Sequence, residues 1–282
     1  MIRTTRLLAP LLACAVLSAC GAAAPSGVVT GGAAPSMPET TASPIDDSPP
    51  PAPPATPAAT RTTPPSSSTP PAALAGPEWT RLPTTAKVVA LTFDAGGNNA
   101  GVASILATLA QEKVPATFFL TGRWTEVYPA DARRIAATCT VGNHTQTHPH
   151  LTALSDAQVA AEVTQGEQSI RSATGRSPRP LFRFPYGDSN ARVLADVQSL
   201  GYGGIRWTVD TLGWEGRGAG QTAGSVVARA VGAATPGEIV LMHAGSAQDG
   251  TTLDADALSR VIAGLRGRGY DFVSVAAFTA AG

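Results

Sequence analysis

Short apolar runs alternate with amphipathic stretches from about residue 85 to the end of the chain. An apolar run of four to eight residues is typical of a buried strand, and apolar positions repeated every three or four residues predict a helix. This alternation indicates an α/β fold with a buried, mostly parallel sheet, either a barrel or an open sheet. The predicted strands are residues 88–93, 116–120, 181–184, 204–209 and 239–242, and the predicted helices are residues 102–109, 156–173 (with Ser155 as N-cap), 191–200, 225–231 and 256–265.

Proline separates this region from the N-terminal part of the chain. Sixteen of the 24 prolines lie between residues 21 and 84, where Pro, Ala, Thr and Ser dominate and large apolar side chains are few. Such a segment cannot offset its ordering entropy by burial, so we predict a disordered tether over residues 21–84. The residues that follow are enough for one domain, which we predict over residues 85–282.

The first 20 residues have the pattern of an export signal. Arg3 and Arg6 precede an apolar run at residues 7–16, well short of the roughly 20 residues that span a bilayer. Residues 17–20 resemble the lipobox of bacterial lipoproteins, which implies cleavage before Cys20 and a lipid on its thiol. The alternative is an ordinary signal peptide in which Cys20 has no role. We expect export across the cytoplasmic membrane and a lipid anchor on its outer face.

Net charge and cysteine content argue against nucleic-acid binding and against an internal disulfide. Lys and Arg together number 20, as do Asp and Glu, so the net charge of zero argues against binding nucleic acid through a basic face. Cys139 is the one cysteine outside the predicted signal and lipid site, and a single thiol forms no internal disulfide. We expect a monomer that meets the membrane only through its lipid anchor.

Three of the four histidines lie within seven residues. His144 and His148 are four residues apart, a spacing that on a helical turn would put both rings on one face, close enough to share a divalent ion. This spacing alone is weak evidence, because structural roles for such pairs are more common. For His150 we expect a solvent-facing or hydrogen-bonding role.

Polar residues also occur where predicted strands end. Asp94 follows the first strand, Arg183 and Tyr186 lie near the end of the third, and His243 follows the last. A parallel sheet brings the ends of its strands to one rim, where α/β proteins carry their sites. Capping or packing explains each residue alone, but not all of them together.

Together these residues resemble the polysaccharide deacetylases of carbohydrate esterase family 4. Between Lys87 and Phe278, five motifs occur in the order found in that family: residues 92–94, 144–148, 183–186, 210–214 and 241–243. Any one of these motifs is weak, but all five in order are specific. The resemblance implies a distorted (β/α) barrel and metal-dependent removal of acetyl groups from N-acetylated or O-acetylated sugars.

The resemblance also implies a role for each position. A divalent ion on His144 and His148, Zn²⁺ before Co²⁺ or Ni²⁺, would activate water and polarise the acetyl carbonyl. Asp94 would be the general base, held by Arg183, and His243 the acid that protonates the leaving nitrogen. The remaining implied contacts with the substrate are Tyr186, whose N–H would donate to the oxyanion, Asp210, and the pair Trp214 and Leu241, which would enclose the acetyl methyl group.

The first motif departs from the family pattern. It commonly carries a second Asp that ligates the metal, and here Ala95 has no donor atom. Either Asp94 moves onto the metal, or Asn98 or Asp188 takes the vacant position, or waters complete the coordination.

The fourth motif departs as well. An acidic residue commonly precedes its Trp, and here that residue is Gly213. Tuning of Arg183 or His243 would then depend on Asp210, or be absent.

These inferences predict a hydrolase that removes acetyl groups from cell-wall glycan. An enzyme anchored outside the membrane meets peptidoglycan first, so its N-acetyl amino sugars are the expected substrate, with chitin-like oligomers and acetylated xylan as alternatives. The other candidate is a catalytically silent glycan-binding module that lost its metal with Ala95. Asp94, Arg183 and His243 together favour the enzyme, because a binding module needs neither a base nor an acid.

Overall fold

The computed structural model describes residues 69–279. In this part of the chain eight strands form one sheet: β1 (Val88–Ala95), β2 (Ala116–Leu120), β3 (Thr140–Asn143), β4 (Leu181–Phe182), β5 (Gly203–Gly204), β6 (Val209–Asp210), β7 (Glu238–His243) and β8 (Asp271–Phe272). The α-helices described are α1 (Val102–Glu112), α2 (Gly122–Val127), α3 (Pro129–Thr138), α4 (Asp156–Thr174), α5 (Ala191–Ser199), α6 (Ala223–Gly232) and α7 (Leu253–Gly267). Short 3₁₀ helices lie at Ala72–Leu74, Leu151–Ala153, Pro185–Gly187, Gly213–Glu215, Arg217–Ala219 and Val275–Phe278.

The sheet is parallel throughout and curls into a distorted barrel. Its strand order is β5-β4-β3-β2-β1-β7-β6, and β8 pairs with the start of β1. Both edge strands belong to residues 203–210. The N–H of Ile205 donates to the carbonyl of Phe182 in β4, and the N–H of Thr208 donates to that of Ile239 in β7, at 2.8 Å each. One segment thus joins the two edges, and the predicted distorted (β/α) barrel is confirmed.

Alternate residues of β1 face opposite sides of the sheet, as in any strand. Phe93 and Ala95 belong to the apolar cluster shared with the helices, whereas Ala90 belongs to the cluster inside the barrel. Asp94 is in phase with Ala90 and therefore points inward. The same alternation directs Ala95 away from the barrel interior.

The elements differ from the prediction where sequence signals are short. Ser155 caps α4 as predicted, its N–H donating to Gln158 Oε1 at 3.0 Å. Helices α2 and α3 and strands β3 and β8 were not predicted: α2, β3 and β8 span six residues or fewer, and α3 has Ile135 as its one large aliphatic side chain. The predicted strand at residues 204–209 is wrong in its middle, where the chain crosses from one edge of the sheet to the other.

Ordered structure begins before the boundary predicted at residue 85. Residues 69–84 pack on the barrel: Leu74 and Leu82 are each 1% exposed. The N–H of Trp79 donates to the carbonyl of Gly204 at 2.9 Å, and the N–H of Leu82 to that of Gly237 at 2.8 Å. The high proline content of the segment obscured its few large apolar side chains, whose burial offsets the ordering entropy.

Several N-terminal predictions lie outside the described residues. These are the signal at residues 1–20, the lipid site at Cys20 and the tether over residues 21–68. Between residues 69 and 279, no helix has the length and apolar character needed to cross a membrane.

Candidate active site

The carboxyl ends of the central strands meet at one rim of the barrel. Asp94 lies opposite His243 in the ladder between β1 and β7, and Asp210 opposite Leu241 between β6 and β7. A cavity of about 620 Å³ opens at this rim. The residues that line it are Asp94, Gly96, Gly97, His144, His148, Phe184, Tyr186, Trp207, Asp210, Trp214, Leu241 and His243.

Arg183 lies beneath the cavity and holds Asp94. Its guanidinium is fully buried, with Nη1 donating to Asp94 Oδ1 at 2.7 Å and Nε and Nη2 donating to the carbonyls of Ile205 and Arg206 at 3.1 Å each. Burial acts to raise the pKa of Asp94, but Arg183, His144 and His243 outweigh it, so the net pKa lies below the usual range. The carboxylate is therefore ionised at neutral pH.

His144 and His148 lie close together, but not on a helix. They belong to the loop that follows β3, where Thr145 and His148 take left-handed φ angles of 71° and 66°. The helical turn on which this spacing would align the two rings is absent, because these two residues turn the chain in a way that no helix permits. The expected closeness is nevertheless present, with the two Nε2 atoms 3.1 Å apart.

Two residues that the sequence analysis missed hold this loop. Asn143 Oδ1 accepts from the N–H of Thr145 at 2.9 Å, and the Glu162 carboxylate accepts from the N–H groups of Gln146 and Thr147 at 3.0 and 2.8 Å. Glu162 lies on α4, and only the packing of α4 on the sheet brings it to the loop. No local pattern in the sequence indicates that contact.

The two imidazoles are suited to a divalent cation. Nδ1 of His144 is 2.8 Å from the carbonyl of Arg183 and so carries the proton, which leaves the Nε2 lone pair facing His148. Burial lowers the pKa of both rings, that of His148 to about 4, so both are neutral near pH 7. Asp94 Oδ2 lies 3.4 Å from His144 Nε2. Two neutral imidazoles beside a carboxylate are a donor set that Zn²⁺ prefers.

These side chains do not form a complete metal coordination site. Among residues 69–279, no three His, Cys, Asp or Glu side chains form a group arranged to hold a metal ion. Ala95 is fully buried in the apolar cluster and does not line the cavity. Asn98 and Asp188, the two residues suggested in place of the missing ligand, do not line the cavity either. Asn98 Oδ1 accepts from the N–H of Ser246 at 2.9 Å, and Asp188 Oδ2 lies 3.0 Å from His150 Nδ1. That last contact confirms the hydrogen-bonding role expected for His150.

Exposed aromatic rings stand at the mouth of the cavity. Tyr186 is 61% and Trp214 48% exposed, and both rings line the cavity. Tyr186 has a left-handed φ of 59°, and its ring stacks on His150 with centroids 4.1 Å apart. Nε1 of Trp214 donates to Asp210 Oδ2 at 3.3 Å. Trp207 also lines the cavity and was missed, because its predicted strand gave it no functional context.

His243 reaches the cavity from the end of β7 and contacts a carboxylate that the sequence analysis did not identify. Asp254, at the start of α7, accepts from the backbone N–H of His243 at 2.8 Å. Its other oxygen accepts from the Thr211 hydroxyl at 2.6 Å. Burial raises the pKa of Asp254, although His243 and Thr211 act in the opposite direction.

Similarity to known proteins agrees with this geometry. The sequence model of the polysaccharide deacetylase family matches residues 81–205. A chitooligosaccharide deacetylase from Bradyrhizobium sp. (strain ANU 289) is 37% identical over 193 residues, which cover 65% of this chain and 86% of that protein.

Two solved structures show the same fold. A peptidoglycan N-acetylglucosamine deacetylase bound to an N-hydroxybenzamide compound is 29% identical, with a TM-score of 0.65 over 70% of this chain and 90% of that one. A pseudoenzyme of carbohydrate esterase family 4 from Bacillus anthracis is 30% identical, with a TM-score of 0.62 over 69% of this chain and 66% of that one. With the five motifs brought to one rim of a parallel barrel, this chain belongs to the polysaccharide deacetylases of carbohydrate esterase family 4.

Proposed function

We propose that this protein is a metal-dependent hydrolase that removes the acetyl group from N-acetyl amino sugars of cell-wall peptidoglycan. The observation that carries the proposal is one cavity that contains an ionised carboxylate, a pair of neutral imidazoles and a third imidazole from another strand. Similarity to a chitooligosaccharide deacetylase and to a peptidoglycan N-acetylglucosamine deacetylase supports N-acetylated sugars as the substrate class.

His144 and His148 would hold the divalent ion, with waters completing its coordination and Asp94 beside it as the base. Zn²⁺ is the ion we propose, because it accepts neutral imidazoles with open coordination positions, and Co²⁺ and Ni²⁺ are the alternatives. When bound, the ion supplies a polarised acetyl carbonyl and a more acidic water.

Side chains of the cavity would carry out the proton transfers of amide hydrolysis. Asp94, kept ionised by Arg183, takes a proton from the attacking water as the oxygen bonds to the acetyl carbon. The backbone N–H of Tyr186 donates to the developing oxyanion. His243 gives a proton to the nitrogen as the carbon–nitrogen bond breaks, which releases the free amine and acetate. Trp214 and Leu241 enclose the methyl group and exclude water.

Peptidoglycan is the proposed substrate because of where we place the enzyme. A lipid on Cys20 and a tether over residues 21–68 would hold a monomeric domain on the outer face of the cytoplasmic membrane, next to the wall. Lipid attachment through more than one acyl chain gives a stable anchor.

A specific observation supports a second candidate, a silent wall-binding module. The metal donors of the described residues form no complete group, and the chain is 30% identical to a pseudoenzyme of its own family. Such a module would retain the exposed aromatic rim of Tyr186 and Trp214 and bind glycan without cleaving it.

Acetate release from peptidoglycan and from N-acetylglucosamine oligomers, with Zn²⁺ supplied, separates the two functions. We expect the full chain and its His150→Asn variant to release acetate, and His243→Asn to release about 10²-fold less. If the protein binds glycan but releases no acetate with Zn²⁺, Co²⁺ or Ni²⁺, it is the binding module instead.

A further inference from the structure

Asp254 is a buried carboxylate that the proposed reaction does not use. It is 3% exposed, lies on α7 behind the cavity and is not among the lining residues. Its two oxygens are bound by the Thr211 hydroxyl and the backbone N–H of His243. Burying a carboxylate is costly unless its partners compensate, so its presence beside the catalytic acid calls for an explanation.

The carboxylate of Asp254 occupies the space where a side chain at Gly213 would begin. A Cβ atom at position 213 would lie 2.3 Å from Asp254 Oδ1 and 2.6 Å from its Cγ, closer than atoms can approach. Gly213 is not among the residues with a positive φ, so its backbone would accept a side chain. The glycine is therefore required by the space that Asp254 occupies, and not by its own conformation.

The ring of His243 has an unused nitrogen on the same side. Nδ1 is buried and has no hydrogen-bond partner within the described residues, and it lies 3.9 Å from Asp254 Oδ2. Contacts in catalytic groups are often long before substrate binds and shorten in the complex. A small rotation of the ring would bring Nδ1–H into hydrogen-bonding distance of this oxygen.

We propose that Asp254 is a positioning residue that orients His243 and stabilises its protonated form, acting from α7 in the space that an acidic residue at position 213 would fill. The inference rests on the proposed hydrolase function. As the carbon–nitrogen bond breaks, His243 Nε2 gives its proton to the leaving nitrogen, while Nδ1–H stays on the ring and faces Asp254. In this role Asp254 accepts the hydrogen bond from Nδ1–H and exchanges no proton.

The test is a set of substitutions in the full chain with kcat and KM measured separately. Asp254→Asn keeps the shape and loses the charge, so we expect kcat to fall about 10²-fold with little change in KM. Asp256→Asn is the matched control, because Asp256 lies two residues further along α7 and is exposed. We expect it to leave both constants unchanged.

Moving the carboxylate between the two positions gives the most specific result. Asp254→Gly should lower kcat as much as Asp254→Asn does. The double variant Asp254→Gly/Gly213→Asp should have a kcat at least tenfold higher than Asp254→Gly, which corresponds to about 1.4 kcal/mol in the activation barrier. Gly213→Asp alone should lower activity, because two carboxylates then compete for one space. Full kcat in Asp254→Asn, or no recovery in the exchanged pair when both variants fold, would overturn the proposal.

A readout independent of turnover separates this inference from the hydrolase function. The chain has four histidines, so the ring ¹⁵N signals of His243 can be assigned by NMR using His243→Asn. We expect Asp254→Asn, but not Asp256→Asn, to shift the Nδ1 signal of His243. Unchanged signals would refute the role of Asp254 even in an active enzyme, whereas a shift in a protein that releases no acetate would refute only the hydrolase function.

Discussion

Asp94 is the residue on which the contacts of the site converge. One of its oxygens accepts from the buried guanidinium of Arg183 at 2.7 Å, and the other lies 3.4 Å from Nε2 of His144. The first contact keeps the carboxylate ionised, and the second leaves it beside the nitrogens proposed to bind metal. A single substitution here therefore changes both the chemistry and the stability of the fold.

We expect Asp94→Asn to lower kcat by about 10²–10⁴-fold, because the amide accepts no proton from water. It should also lower the free energy of unfolding by about 3–5 kcal/mol, since Arg183 is left buried without a countercharge. Acetate release and urea denaturation measure the two effects. Activity within tenfold of the unchanged chain would show that another group is the base.

His148 and His150 provide a matched pair for the metal site. His148 Nε2 faces His144 Nε2, whereas His150 Nδ1 faces Asp188. We expect His148→Ala to weaken Zn²⁺ binding about 10²-fold or more and His150→Ala to leave it unchanged, because each zinc ligand contributes a large share of the binding free energy. Competition with a chromophoric chelator measures the affinity. Equal affinities in the two variants would remove His148 from the site.

The sequence predicted the residues that touch the cavity better than those that support them. Asp94 and His243 follow predicted strands, and in a parallel sheet that position alone predicts a shared rim. Glu162 and Asp254 lie on helices, and their roles depend on which face of each helix packs toward the rim. That information is tertiary, so neither residue could be identified from its neighbours in the chain.

At the scale of elements, β7 carries titratable groups at both ends. His243 faces the cavity, and Glu238 begins the strand at the opposite end. Glu238 is fully buried and its Oε1 has no hydrogen-bond partner in the described part of the chain. Burial raises the pKa of Glu238 to about 7. The strand is thus most stable with this carboxyl group protonated.

This raised pKa predicts how stability changes with pH. The folded state keeps the proton up to about pH 7, and the unfolded state loses it near 4.5, so the contribution is complete below 4.5 and is lost as the pH rises through 7. Glu238→Gln should raise the free energy of unfolding by on the order of 2 kcal/mol at pH 8 and leave it unchanged at pH 4. Urea denaturation at the two pH values measures the difference.

The matched control for that experiment is Glu112→Gln. Glu112 ends α1 and pairs with Arg266 near the surface. This variant should show no comparable gain at pH 8, and a gain as large as that of Glu238→Gln would assign the effect to net charge rather than to burial.

At the scale of elements, the predictions were reliable where a period was long enough to recognise. Helix α4 and strand β2 were predicted within one residue of their bounds, because α4 has five turns and β2 is apolar except for Thr117. Strand β3 was missed, since it has four residues including a glycine. This strand precedes the two histidines, so no sequence pattern indicated that they lie in a loop at the rim of the sheet.

At the scale of the whole molecule, residues 69–84 help to close the barrel. Trp79 bridges to Ile205, and Arg81 bridges to Glu238 at the start of β7. Glu78 also accepts a hydrogen bond from Ser189, shortly after the third motif. The segment therefore contacts the chain just after the edge strand β5, the start of β7 and a loop near the site.

Truncation tests this boundary. A chain starting at residue 69 should unfold with the same free energy as the full chain, whereas one starting at residue 85 should lose about 3–6 kcal/mol, because burial of Leu74 and Leu82 is lost. Urea denaturation compares the three chains. Equal stability of the two shortened chains would restore the boundary predicted from proline content.

The central claim is that His144, His148 and Asp94 make one metal-dependent hydrolytic site. The most direct measurement removes metal with a chelator, returns Zn²⁺ in steps and follows acetate release from N-acetylglucosamine oligomers at each step. We expect no release from the metal-free protein and a rise that saturates at about one ion per chain. Full activity without metal, or no activity at any occupancy, would contradict it.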